Sequence, residues 1–331
     1  MESAHSTSGS DRQELAIAWA MTTGVSQLHA GTPGPSVTLS ENDLPPLFVV
    51  SDRRALSRQS ESLYAVRTQL LLLLSATAMA MLAERFNSHI PAALAALLYA
   101  FTIAIGLHIA RRRARAQWRA HRDVAELLKS LAWQYMVHGG PFHSRVPDPD
   151  GLFAERLEER LRELRRVGWE DSRNGAHSRG TGQITPVMRT VRAKPFAARR
   201  EIYLRDRQLE QFVWYKNRAS ESHRASVRWS SVTAALTGLA LLAAVLRALG
   251  VIGGWDLTGL LSAGAAAGVA WQEVRRHRPL TYAYSLIEQD LETLRVSMSK
   301  TVTEAGWAEA VAEAERIVSP QHTDWLVRFG G

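Results

Sequence analysis

Apolar and polar positions alternate in long blocks along this chain. Residues 68–83 carry no charge, and with Leu63 to Val66 the apolar run reaches roughly 22 residues, enough to cross a bilayer as a helix. After a short link at Glu84 to His89, the stretch Phe86 to Ala110 is again free of acids, lysine and arginine, with Pro91 near its first turn where proline is tolerated. The plan repeats. Trp229 to Leu246 is uncharged, Gly250 to Asp256 turns the chain, and Leu257 to Gln272 is uncharged once more. None of the four stretches has a polar face at the helical period, so each needs lipid or a large protein interior around it. They predict two transmembrane hairpins with spans at about 64–83, 90–110, 229–248 and 256–272.

Arginine placement sets the orientation. Arg53, Arg54, Arg58 and Arg67 precede the first span, and Arg111, Arg112, Arg113, Arg115 and Arg119 follow the second. Arg218, Arg224 and Arg228 precede the third, and Arg275, Arg276 and Arg278 follow the fourth, whereas the two links hold only Arg85 and Arg247. By the positive-inside rule both termini and residues 111–228 are expected in the cytosol.

The blocks between the spans read as helices too. Arg111 to His138 lacks proline and glycine and ends at Gly139-Gly140-Pro141. On it Trp118, Arg122, Glu126, Lys129 and Trp133 recur at spacings that share one face, with Arg122 and Glu126 placed to pair. The expected role of that face is a helix–helix interface with a buried ion pair, the alternative being a ligand pocket or gate latch. Gly151 to Val167 is an amphipathic helix, and Trp169 to Pro195, rich in Gly, Ser, Thr and Arg, reads as the junction between two halves. Ala197 to Arg228 resumes helically, with Tyr203, Arg207, Gln211, Trp214 and Tyr215 near one face. Gln272 to Lys300 is expected to leave the fourth span as a further stalk, striped by Leu280, Tyr284, Ile287, Leu291, Leu294 and Met298. Near the C-terminus Glu315, His322 and Trp325 are expected to cluster, with His322 structural rather than metal-bound. Inside the spans, Gly264 and Gly268 permit close helix approach, and Ser230, Thr233 and Thr237 line one face. They serve either helix packing or a wetted pore face.

Composition narrows the chemistry. The 331 residues carry a net charge of +8, a pI near 10.2 and no cysteine, which excludes disulfides and thiolate metal sites. A hydrophobic share of 46% against 22% charged lies in the globular range, and the mean hydropathy of −0.14 averages over the apolar blocks. All but four of the 40 basic residues are arginine, and most of their clusters abut the apolar stretches, where anionic headgroups account for them. With no recognition motif present, no nucleic-acid partner is expected. A glycine-rich phosphate loop, paired metal-binding histidines and a nucleophile elbow are likewise missing, so neither enzymatic activity nor a cofactor is expected. Residues 1–43 read as a poorly ordered tail without a signal peptide.

Particular residues then point to a family. Pro45-Pro46-Leu47-Phe48, Asp52, Arg53 and Gln59, an apolar hairpin, and Trp118 through Ala125-Glu126, Lys129, Trp133 and Tyr135 to Pro141-Phe142 resemble one branch of the SLATT domains. Tyr203, Arg207, Gln211, Trp214 and Tyr215 before the second hairpin, with Trp307, Glu315, Ile317, Ser319, His322, Thr323 and Trp325 after it, resemble another branch. The resemblance covers about residues 44–329.

What it implies is an all-α, multi-pass inner-membrane protein of bacterial conflict systems. Two units, 44–168 and 196–329, would flank a linker at 169–195, with long cytosolic stalks packed as a bundle. Such domains are proposed to oligomerise into pores that stop growth during phage infection, on a signal from a separate nucleotide-signalling enzyme or sensor protein. The alternative is a non-conducting scaffold that tethers a soluble partner.

Overall fold

In a computed structural model the chain is described over residues 39–111, 114–166, 180–252, 255–300 and 303–329. Every regular element among these residues is helical. The tail lies outside the described residues up to residue 38. Its last part forms a 3₁₀ turn, Glu41–Asp43, closed by a capping box in which Ser40 and Asp43 satisfy each other's backbone.

Helix α1 (Pro46–Phe86) is 41 residues long, roughly 60 Å, and is continuous from the charged end of the molecule through the first apolar block. Its proline start costs no hydrogen bond, because the first helical N–H groups have no partner within the helix. Asn87, left-handed at φ 46°, stops it. The sequence pattern showed only the apolar half. The other half is amphipathic and buries Leu47, Phe48, Ala55 and Leu56.

Helix α2 (His89–Arg111) returns along α1, and α3 (Ala114–Val137) follows it. Continuity of the expected stalk through residues 112 and 113 lies outside the described residues. At the end of α3, His138 is left-handed at φ 59° and the Gly139 N–H donates to the Gln134 carbonyl at 2.8 Å.

Helix α4 (Pro149–Arg166) buries Phe153, Leu157 and Leu161. Within the stretch read as a junction, residues 167–179 lie outside the described ones. Beyond them come a 3₁₀ turn at Gly180–Gln183 and helix α5 (Pro186–Arg192), capped by Thr185, which sends Met188 and Val191 into the core. Helix α6 (Phe196–Tyr203), a π-helical turn (Leu204–Leu209) and α7 (Glu210–Ala248) then run on into the third apolar block.

The return helix α8 (Leu257–Arg275) is followed by α9 (His277–Lys300), α10 (Glu304–Ile317) and α11 (Pro320–Phe329). The stalk expected over Gln272 to Lys300 is corrected: Arg276, left-handed at φ 50°, ends α8 and lets α9 set off in a new direction.

By length and apolar composition, three helical stretches among the described residues can cross a membrane: Leu63–Phe86, His89–His108, and the apolar end of Phe196–Ala248. Helix α8, read as the fourth span, is not one of the three; its apolar run is largely glycine and alanine. Only 11% of each qualifying window is buried within the chain, so most of its surface must meet lipid or another copy. The tips of the hairpins meet. Phe86 contacts Trp255 edge-on at 6.3 Å, and the Arg85 guanidinium lies 5.7 Å from the Trp255 ring.

The remaining helices form a polar head with a shared core. Leu47 and Phe48 of α1, Val124, Leu128 and Met136 of α3, Phe153 and Leu157 of α4, and Trp307 and Val311 of α10 are all buried together. A smaller cluster joins Tyr215 to Ala283, Ile287 and Leu291 of α9 and to Ile317, Val318 and Leu326. Elements from both ends of the chain interleave. The Leu47 N–H donates to Gln183 Oε1 at 2.9 Å, and the Trp307 indole donates to the Val137 carbonyl at 2.9 Å.

Candidate functional site

The charged face of α3 is turned inward. Arg122 Nη2 lies 2.5 Å from Glu126 Oε1, one helical turn on, and its Nη1 lies 3.6 Å from Asp52 Oδ1 of α1. Burial pushes the Glu126 carboxyl up, but Arg122, Lys129 and Arg207 outweigh it and hold the group below its ordinary range. Asp52 goes the other way, raised by burial and by Glu126 against the pull of Arg122 and Lys129. Lys129 sits 5.9 Å from the Phe48 ring. The side chain of Trp118 lies outside the described residues.

Across from this face stands the π-helical turn. Within it Arg207, four residues after the buried Tyr203, points into the core as well. Arg207 donates from Nε to Glu315 Oε1 at 3.0 Å and from Nη2 to Oε2 at 2.7 Å, a two-pronged pair whose side chains are 2% and 1% exposed. The Tyr203 hydroxyl donates to the same Oε1 at 3.0 Å. Burial and the Glu315 charge drive the Tyr203 phenol well above its usual range, so it stays a donor. Gln208 reaches the Leu291 carbonyl at 3.4 Å, and Gln211 lines a small recess with Tyr203, Arg207 and Gln208, roomy enough for little more than one water.

Tyr203 connects the two faces. Its ring meets Trp133 edge-on at 5.8 Å and Trp307 edge-on at 5.6 Å. Trp133, Tyr203, Arg207 and Glu315, with the half-buried Arg122–Glu126 pair at one end, thus form one seam between α3, α6, the π turn and α10.

Trp214 belongs to a neighbouring aromatic group, 4.8 Å from Tyr215 and 5.7 Å from Tyr284. The expected C-terminal cluster divides: Glu315 turns to Arg207, while His322 stacks on Trp325 at 6.4 Å. In the second hairpin, Ser230 Oγ donates to Gln272 Oε1 at 3.3 Å and Gln272 Nε2 donates to Thr233 Oγ1 at 3.1 Å. Only Thr237 of the three hydroxyl residues is exposed, donating to the Thr233 carbonyl at 2.9 Å. Gly268 faces Thr233, and a Cβ there would lie 3.0 Å from its Oγ1; at Gly264 the nearest atom, Leu236 Cδ1, would be 3.6 Å away.

A second polar knot escaped the sequence reading. Tyr135 donates to Asp150 Oδ1 at 2.5 Å, Arg189 donates twice to Asp150 Oδ2, and Arg192 lies 4.9 Å from the Tyr135 ring while donating to the Phe142 carbonyl. Tyr135 and Phe142 stood in the family-like motif, but nothing local marks Asp150 or Arg192 as their partners.

Residues 45–200 match the model of SMODS and SLOG-associating 2TM effector domain 3, and residues 203–325 match that of SMODS and SLOG-associating 2TM effector domain 1. The chain is a tandem of two SLATT domains. No curated protein and no solved structure matches the tandem. Both halves match families described as two-transmembrane effector domains, and with its apolar helices the tandem is a membrane protein. The join falls between residues 200 and 203, at the end of α6, so the two SLATT domains meet without a break in the helix. Tyr203, the first matched residue of the second domain, is the one that touches Trp133 of the first.

Proposed function

We propose that this SLATT tandem is a membrane effector of a bacterial defence system, switched by a signal received at its polar head. In this reading α8 is a fourth span, head and termini face the cytosol, and the protein sits in the inner membrane as a homo-oligomer. A separate nucleotide-signalling enzyme or sensor supplies the trigger, and the chain itself is not an enzyme.

The observation that carries the reading is the Tyr203–Arg207–Glu315 group. It lies at the junction of the two domains, at the root of a helix that runs unbroken into the third apolar block. A buried ion pair is a poor source of stability but a good two-state contact, since its partners cannot separate partly without a large desolvation cost. Four spans cannot enclose a water path, so conduction requires several copies.

One observation favours a second reading. Ser230 and Thr233 spend their hydroxyls inside their own hairpin, which leaves less polar surface for a pore and suits a non-conducting scaffold that tethers a soluble partner. Expression in bacterial cells together with the genomically adjacent signalling system separates the two, read by membrane potential and dye leakage. Depolarisation that is lost in Glu315→Gln supports the effector. An unchanged potential with growth arrest intact overturns the pore and leaves the scaffold.

A further inference from the structure

Arginines drawn into the head have oxygen acceptors: buried Arg199 pairs with Glu304 and Arg207 with Glu315, half-buried Arg122 pairs with Asp52 and Glu126, and half-buried Arg192 donates to the Tyr135 and Phe142 carbonyls. At the foot of the second hairpin the pattern fails. Arg275, half-buried, has as its described contact the face of Trp271 at 5.9 Å, and no carboxylate pairs with it among the described residues. Arg218 of α7 and His277 of α9 lie near it, Arg228 of α7 lies near His277, and Arg278 donates to Ser230 Oγ at 3.3 Å. Among the described residues, Arg218 alone of these has an acidic partner, Glu221 at 2.9 Å.

The energetics of this cluster run against ordinary practice. Burial, with Arg275, Arg218 and Arg228 nearby, pushes His277 down to about 4, and burial with Arg218 lowers Arg275. The first turn of α9 contains no acid and opens His277-Arg278, so the Arg278 cation also occupies the pole of the helix dipole that repels it. Trp229 and Trp271, 6.5 Å apart, lie beside the cluster where the apolar stretches of α7 and α8 give way to charge, the level at which tryptophan marks a membrane interface. Like charges held together and partly desolvated call for an anion.

We infer that Arg275, Arg228, Arg218 and His277 form a binding site for a phosphate-bearing anion, and that its occupant is the headgroup of an anionic phospholipid. This rests on the reading that α7 and α8 lie in the membrane. Guanidinium forks match phosphate oxygens, the tryptophans flank the acyl-chain side, and a headgroup here would tie the loop between α8 and α9 to the bilayer. A lipid held at this hinge would couple membrane composition to the angle at Arg276.

The test uses the full chain in nanodiscs of mixed phosphatidylcholine and phosphatidylglycerol, with retained lipid counted by native mass spectrometry. The expected result is phosphatidylglycerol retained in preference to phosphatidylcholine, with retention falling about 10- to 30-fold in Arg228→Gln/Arg275→Gln. Arg275→Lys should keep much of the binding, and Arg156→Gln/Arg160→Gln on α4 should keep all of it. Equal retention in the Gln double variant overturns the site. Displacement by millimolar inorganic phosphate, with no lipid retained in its absence, overturns the lipid assignment in favour of a soluble anion. A chain that carbonate washing releases from membranes overturns the hairpin reading itself, whereas a carbonate-resistant chain without lipid preference overturns only the headgroup site.

Discussion

Arg207 and Glu315, 108 residues apart, meet through two hydrogen bonds of 3.0 and 2.7 Å in a part of the head closed to solvent. A pair so placed has little net stabilising value, but breaking it on one side leaves a bare charge indoors. Glu315→Ala is therefore expected to cost about 3–5 kcal/mol, whereas Arg207→Met/Glu315→Leu recovers most of that loss. Thermal midpoints of the purified protein in detergent measure both. If the pair serves switching, the apolar double variant is stable yet no longer responds to the trigger, a combination that a purely structural pair would not produce.

The aromatic contact between the two domains has its own test. Trp133 and Tyr203 meet edge-on at 5.8 Å, a geometry worth about 0.5–1.5 kcal/mol beyond the area the rings bury. A double-mutant cycle over Trp133→Leu and Tyr203→Leu should return a coupling of that size, measured by chemical unfolding. Coupling near zero would mean that this ring pair adds nothing to the shared core and the Trp307–Val137 and Arg199–Glu304 contacts that join the domains.

How much of this was legible beforehand depended on range. Arg122 and Glu126 are four residues apart on one helix, so their pairing follows from spacing. Arg207 and Glu315 carry no such local signal: Arg207 was read on a face with Tyr203 and Gln211, and Glu315 in a cluster with His322 and Trp325, so neither pointed to the other. The π turn at Leu204–Leu209 is invisible to periodicity because it differs from a helix by a single residue. The amphipathic half of α1 was masked by the apolar run beside it, whereas the break at Arg276 did have a local signal, Pro279 three residues on, which the apolar stripe running across it outweighed in the reading. Ser230 and Thr233 were correctly seen on one face, but which way that face turns is decided by Gln272 on another helix.

Acid sensitivity follows from His138. Burial, with Arg192 and Arg199 nearby, lowers it to about 4, while Glu304 opposes them. The folded state thus prefers the neutral ring, and the unfolded chain takes up a proton first as pH falls. The stability present above about pH 6.5 is lost progressively down to about pH 4, some 1–2 kcal/mol after discounting for the half-exposed ring. His138→Asn tolerates the left-handed backbone at this position and cannot titrate. Its thermal midpoint should fall less than that of the wild type between pH 6.5 and 4.5. Below that window the carboxylates held low, Glu126, Asp150 and Glu304, take over in both proteins.

The last prediction concerns the second hairpin, where two glycines one turn apart face different neighbours. A methyl group at Gly264 meets only Leu236 Cδ1 at 3.6 Å, an ordinary contact, so Gly264→Ala should stabilise by about 0.5–1 kcal/mol through the restricted unfolded chain. At Gly268 the same methyl would press on Thr233 Oγ1 at 3.0 Å, and that hydroxyl is held by the Gln272 amide and by its own bond to the Trp229 carbonyl at 2.8 Å. Gly268→Ala should therefore gain nothing, and Gly268→Leu should lose about 1–3 kcal/mol by forcing α7 from α8. Distances between spin labels placed on α7 and α8 away from these contacts report the helix separation directly, widening in Gly268→Leu and unchanged in Gly264→Ala. If the hairpin opens as a unit during signalling, the leucine variant should also shift leakage or growth arrest without any trigger. A silent leucine variant with a demonstrably widened hairpin would place the moving part elsewhere.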